Sequence, residues 1–210
     1  LILRAKLPIT IFTLETGRLH AETLGMVDRI RETYGYEVVL YKPEQSAVDA
    51  YVSANGLNAF YDSVEMRKEC CRIRKVEPLN RALAGKAAWI TGQRRAQSTT
   101  RAELAVQEDD PAHGMQKFNP LADWSEDDVW NYIRSNGVPY NPLHDKGYPS
   151  IGCEPCTRAI QPGEDVRAGR WWWESPQSKE CGLHVVEQPD GTVRLVRASV
   201  KADTTEGSVK

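Results

Sequence analysis

The sequence predicts an α/β fold in which a parallel sheet is layered with helices, and three observations carry that prediction. Short β-branched apolar runs alternate with stretches of helical periodicity. The runs are near-continuous rather than alternating, as strands buried on both faces are. Two of them lead into turns rich in Gly, Thr and Arg, where sheets of this class collect ligands.

Taken in order, Pro8 to Leu14 reads as a buried strand meeting a turn at Glu15-Thr16-Gly17. Leu24, Val27, Ile30 and Tyr34 then recur on one helical face, and Gly35 stands where a C-terminal cap belongs. Residues 37–41 form the next strand, closed by Pro43, and Gln45 to Ala54 a second helix ending before Gly56, so the unit is βαβα. Met66 to Lys75 favours helix, with no breaker before Pro78. Ala87 to Thr91 is a third strand. Ser125-Glu-Asp-Asp128 opens a helix carrying Val129, Tyr132 and Ile133, which Gly137 and Pro139 end. A polar tail follows from about Glu187, with a short strand over Thr192 to Val196. The turns placed at the ligand edge are Leu14-Glu-Thr-Gly-Arg18 and Thr91-Gly-Gln-Arg-Arg95.

Composition narrows the class without naming a function. The chain has 210 residues, 40% hydrophobic and 27% charged, and a net charge of 27 − 29 = −2, which excludes disorder and collagen. It carries no signal peptide and no apolar run long enough to cross a bilayer, so a cytoplasmic protein without a membrane anchor is expected. Near-neutral charge gives no global reason to bind nucleic acid. Self-association is neither implied nor excluded. Residues 1–174 are expected to form the α/β domain and 175–210 a C-terminal segment. The opening Leu1-Ile-Leu-Arg-Ala-Lys6 reads as the last turns of a helix, so a further strand and the loop after it are expected before residue 1.

Five cysteines carry the chemistry: the vicinal Cys70 and Cys71, the Cys153-Glu-Pro-Cys156 pair, and Cys181. Their odd number and the missing signal favour metal binding or thiol chemistry over a disulfide framework. Neighbouring residues on a helix point about 100° apart, so Cys70 and Cys71 suit separate irons of a cubane better than one tetrahedral ion. Zinc and inert buried thiols remain open on spacing alone. Cys181, in Lys179-Glu-Cys-Gly-Leu-His184, is a candidate nucleophile, with Gly182 leaving the sulfur open and Lys179 and His184 favouring thiolate. Arg94, Arg95 and Arg101, with Arg167 and Arg170 before Trp171-Trp-Trp173, suit a phosphate or sulfate group. Neither GxxxxGK[ST] nor GxGxxG occurs.

Leu14-Glu-Thr-Gly-Arg-Leu19, Lys68-Glu-Cys-Cys-Arg-Ile-Arg-Lys75, Thr91-Gly-Gln-Arg-Arg95, Lys117-Phe-Asn-Pro120, Gly152-Cys-Glu-Pro-Cys156, Gly169-Arg-Trp-Trp-Trp-Glu174 and Lys179 to His184 run in one order. Together they resemble the assimilatory sulfonucleotide reductases, in particular the iron-sulfur adenylyl-sulfate (APS) reductases. That resemblance implies an adenine nucleotide alpha-hydrolase-like fold and a [4Fe-4S] cluster on Cys70, Cys71, Cys153 and Cys156. It implies reduction of APS to sulfite and AMP for sulfate assimilation and cysteine biosynthesis. Cys181 would attack the APS sulfur and thioredoxin would release sulfite from the resulting S-sulfo-cysteine. Lys75 would lie between cluster and substrate, Arg101, Arg167 and Arg170 would bind the phosphosulfate, and Leu14, Thr16 and Gly92 would line the nucleotide pocket, with Arg94 and Arg95 in the same turn. The alternatives are a reductase for the 3′-phosphorylated nucleotide PAPS, whose family members generally lack the four cluster cysteines, a non-catalytic zinc or nucleic-acid module, and an ATP-using sulfurtransferase.

Overall fold

The structure is a computed structural model that describes residue 2 and residues 5–98, 101–175, 185–187 and 193–195. Among these the expected βαβα unit is present: β1 (Phe12–Leu14), α1 (Ala21–Tyr34), β2 (Val39–Tyr41) and α2 (Gln45–Asn55), with β1 parallel to β2 and Leu14 opposite Tyr41. Strand β1 is shorter than the apolar run that predicts it, because β2 supplies partners only for its last residues. The pairing reaches outward by Val39 N–H to Ile11 O and Glu15 N–H to Tyr41 O, both 2.9 Å. Gly35 closes α1 in the left-handed region at φ 63°, as the sequence predicts. No α1 residue is buried, and Leu24 and Tyr34 are exposed, because the helix lies at the surface.

The α/β class is as expected, with parallel pairing, and the strands are divided among separate sheets. The strands fall into a β1-β2 pair, a three-stranded sheet ordered β3-β5-β4, and a terminal hairpin. Here β3 is Ala88–Ile90, β4 Gln107–Asp110 and β5 Met115–Phe118; β5 is parallel to β3 and antiparallel to β4. A cavity of about 810 Å³, bordered by residues 8–14, residues 86–91 and part of the helix after residue 77, separates β1 from β3. The β4-β5 hairpin escapes apolar periodicity because its inward residues are polar. Glu108 meets Lys117 Nζ at 2.8 Å and Asn119 Nδ2 at 2.9 Å, and Asp110 accepts from Trp89 Nε1 at 3.0 Å. Buried polar groups are tolerated when so paired.

The cysteine-bearing helix departs from its predicted form in a useful way. Helix α3 (Val64–Cys71), capped by Ser63 Oγ accepting from Met66 N–H at 3.1 Å, runs into a π-helical turn over Arg72–Val76 and on into α4 (Glu77–Leu83). The wide turn absorbs Pro78 in the first turn of α4, where its missing N–H does no harm, so the helix passes the expected breaker. It also buries Ile73, Arg74 and Lys75 in succession, which an ordinary α-turn would spread round the helix.

Helix α5 (Glu126–Asn136) begins with the expected Ser125–Asp128 capping box and ends at Gly137 in the left-handed region. Backbone pairing of β6 (Val185–Glu187) with β7 (Val193–Leu195) places a hairpin where one strand is expected. Among the described residues no helix is long and apolar enough to cross a membrane. The core that matters most gathers Phe60, Cys71, Cys153, Cys156 and Trp171, with Cys70 and Trp173 packed against it.

Candidate thiol centre and anion site

Backbone hydrogen bonds bring the two cysteine pairs together across the chain. The turn after β1 bends at Gly17, φ 72°, where Glu15 Oε1 accepts the Gly17 N–H at 2.6 Å. It is stitched to the second cysteine pair by a Leu19–Cys153 bridge and by Glu154 N–H to Arg18 O at 2.8 Å. A second bridge, Thr157–Arg170, and Trp171 N–H to Cys156 O at 3.1 Å fold the tryptophan run back over Cys156. Cys70, Cys71, Cys153 and Cys156, all free thiols, then line one cavity with Arg18, Arg74 and Lys75.

The electrostatics of that cavity are unusual for a protein core. Arg67, Arg74 and Lys75 line it and are buried, and Arg170 is buried against Trp171. Arg74 Nη1 donates to Thr16 O at 2.7 Å, and the Lys75 ammonium lies 5.9 Å from the Trp171 ring centre. Burial, reinforced by Cys153, pushes the Cys156 thiol up to about 12, and burial, reinforced by Cys71, raises Cys70. Without a metal the Cys70 and Cys156 thiols stay protonated at neutral pH; a bound metal must displace the proton. Among the described residues the buried indole N–H groups of Trp171 and Trp173 have no acceptor.

These features fit an anionic iron-sulfur group. Four thiols would supply one ligand per iron, cations surround them, and the orphaned indole donors suit sulfur acceptors. Among the described residues no three His, Cys, Asp or Glu side chains form a group that could hold a metal ion. Zinc, at about 2.3 Å from each sulfur, would draw its ligands tightly together.

The other expected site residues divide into two groups. Thr16, 2% exposed, is seated against the thiols, its Oγ1 3.2 Å from Cys153 Sγ. Lys75 lines the thiol cavity. Arg170 stacks on Trp171 with Cζ 4.6 Å from the ring centre and reaches Ile151 O at 3.3 Å. Arg167 lies three residues earlier, its backbone N–H bound to Asp165 Oδ1 at 2.8 Å. Leu14, at the end of β1, borders the large cavity between β1 and β3.

Gly92, Arg94, Arg95 and Arg101 lie at and after the end of β3. Arg94 Nη1 donates to Trp124 O at 3.4 Å, Arg95 Nε to Leu104 O at 2.7 Å, and Arg95 also pairs with Asp123. Arg101 Nη1 donates to Gln97 Oε1 at 2.6 Å. The Lys117 to Pro120 motif sits beneath this turn, with Asn119 fully buried and bonded to Thr91. Cys181, Lys179 and His184 lie outside the described residues. Sequence reasoning passed over Arg67, Arg74 and Glu174. The signal was spacing: Arg67 precedes Cys71 by four residues and Arg74 follows Cys70 by four, one helical turn each.

Comparison with known proteins gives concordant results. The phosphoadenosine phosphosulfate reductase domain matches residues 1–159. The chain is 69% identical over 184 residues to an adenosine 5′-phosphosulfate reductase of Burkholderia cepacia, covering 88% of this chain and 74% of that protein. It is 61% identical over 184 residues to the enzyme of the same name from Allochromatium vinosum, covering 88% and 72%. Among solved structures, the phosphoadenylyl-sulfate (PAPS) reductase of Candida auris matches with TM-score 0.62 and 29% identity over 76% of this chain and 74% of that one.

Proposed function

This chain belongs to the phosphoadenosine phosphosulfate reductase domain family, and from that premise we propose that it reduces adenosine 5′-phosphosulfate to sulfite and AMP with thioredoxin as reductant. The observation that carries this reading is the convergence of Cys70, Cys71, Cys153 and Cys156 on one cavity rimmed by buried cations. Identity of 69% to a protein named for APS, against 29% to one named for PAPS, favours the nucleotide without a 3′-phosphate.

In this mechanism the Cys181 thiolate attacks the sulfur of APS. The S–O bond breaks and its electron pair leaves with AMP, whose phosphate is a good leaving group, giving S-sulfo-cysteine. A thioredoxin thiolate then attacks Cys181 Sγ and sulfite departs with the S–S electron pair. The second thioredoxin cysteine resolves the mixed disulfide, regenerates Cys181 and leaves thioredoxin oxidised. A [4Fe-4S] cluster on the four thiolates would supply structure and a local field rather than electrons. Lys75, Arg101, Arg167 and Arg170 would neutralise the phosphosulfate as charge moves onto the leaving oxygen. Leu14, Thr16, Gly92, Arg94 and Arg95 would shape the nucleotide side of the site.

The test is turnover with APS or PAPS in the presence of thioredoxin and its reducing system. Sulfite and AMP are expected in equal amounts, with APS consumed in preference. Faster release of sulfite from PAPS would reverse the substrate assignment.

A finer prediction concerns Gly152. A Cβ there would run into the Arg170 guanidinium, 2.6 Å from its Cζ, while meeting no other group as closely. Because the obstacle is the end of a flexible side chain, Gly152→Ala is expected to fold normally yet displace Arg170. APS binding should weaken about tenfold to a hundredfold, the worth of one charged hydrogen bond, and AMP binding much less. Equal losses for the two nucleotides in a binding titration would place Arg170 away from the sulfate.

A further inference from the structure

We propose that Arg67 is a positioning residue for the cysteine ligands, held by Glu174 so that it donates an N–H to the Cys71 sulfur. The inference rests on the cluster reading above. Arg67 lies one turn before Cys71 on α3, so both side chains project from the same helical face. It is fully buried, with Nε and Nη2 donating to the two Glu174 carboxylate oxygens at 2.8 Å each. A guanidinium has five N–H donors, and this fork uses two of them. Arg67 and Cys71 line the same cavity, and the Trp171 ring centre lies 4.7 Å from Cζ.

The arrangement has the form of a clamp. Its two ends are 107 residues apart, one on the helix carrying Cys70 and Cys71, the other on the segment that folds back over Cys156. Between them Trp171 is held at φ 41°, a conformation unfavourable for a bulky residue, with Arg67 and Arg170 both stacked against its ring. Arg67 and Glu174 cancel each other's charge, so the pair contributes little net field. Its specific effect on a cluster would come from the N–H directed at sulfur, which draws electron density from the Fe–S bond and fixes the ligand's orientation.

That near-neutrality supplies the test. Replacing both members, Arg67→Met with Glu174→Leu, removes the hydrogen bond without leaving a buried charge. Anaerobically purified parent and double variant are compared for iron and sulfide content, for the Fe–S(Cys) stretching bands in resonance Raman spectra, and for iron release to a chelator. The expected result is a normally folded variant with a band shifted to higher frequency and iron held about 10- to 100-fold less tightly. Should the double variant not fold, Arg67→Lys keeps a cation opposite Glu174 but loses the planar fork that spans carboxylate and sulfur, and the same shift is expected. A folded variant with the parent's bands and release rate would overturn the inference. A parent without sulfide would instead overturn the cluster reading.

Discussion

Cys181→Ser is expected to reduce sulfite release by roughly a thousandfold or more, the scale seen when a covalent nucleophile is removed. The serine hydroxyl is not ionised at neutral pH, and it cannot form the S–S bond that thioredoxin must later break. Affinity for AMP should be nearly unchanged, because no nucleotide contact is assigned to this cysteine. The check is single-turnover assay beside a binding titration on the same preparation. Retained turnover would remove Cys181 from the chemistry; lost binding would make its role structural.

The second large effect is on stability. Glu174→Leu leaves the Arg67 guanidinium buried without its carboxylate, at 0% side-chain exposure. Breaking one half of such a pair costs about 3–5 kcal/mol. By contrast Arg72 and Glu69, also paired at 2.7 Å, are 60% and 42% exposed, and removing either should change stability by about 1 kcal/mol or less. Urea unfolding of the two single variants measures the contrast directly. Equal small effects would mean that water reaches Arg67.

The strands and helices with simple periodicity were legible because each is governed by local rules. Gly35 and Gly137 cap where predicted, and Ser125 starts α5 through its own side chain. The β4-β5 hairpin was not legible, since Gln107-Glu-Asp-Asp110 reads as solvated acid until Lys117 and Trp89 are known to face it. The π-turn at Arg72–Val76 was hidden for a related reason: its stability comes from burying Ile73, Arg74 and Lys75 against distant segments. Within the site, the cysteine spacing pointed to a thiol centre, but not to the seating of Thr16 against Cys153, 137 residues away. The Arg67–Glu174 contact joins residues 107 positions apart, a distance no periodicity spans.

The central claim is that Cys70, Cys71, Cys153 and Cys156 hold a [4Fe-4S] cluster in an APS reductase. It is tested most directly by iron, zinc and acid-labile sulfide per chain in anaerobically purified protein. The account predicts about four irons and four sulfides per chain and negligible zinc. Zinc at about one per chain without sulfide would contradict it, and would mean that the four thiols close on a single ion.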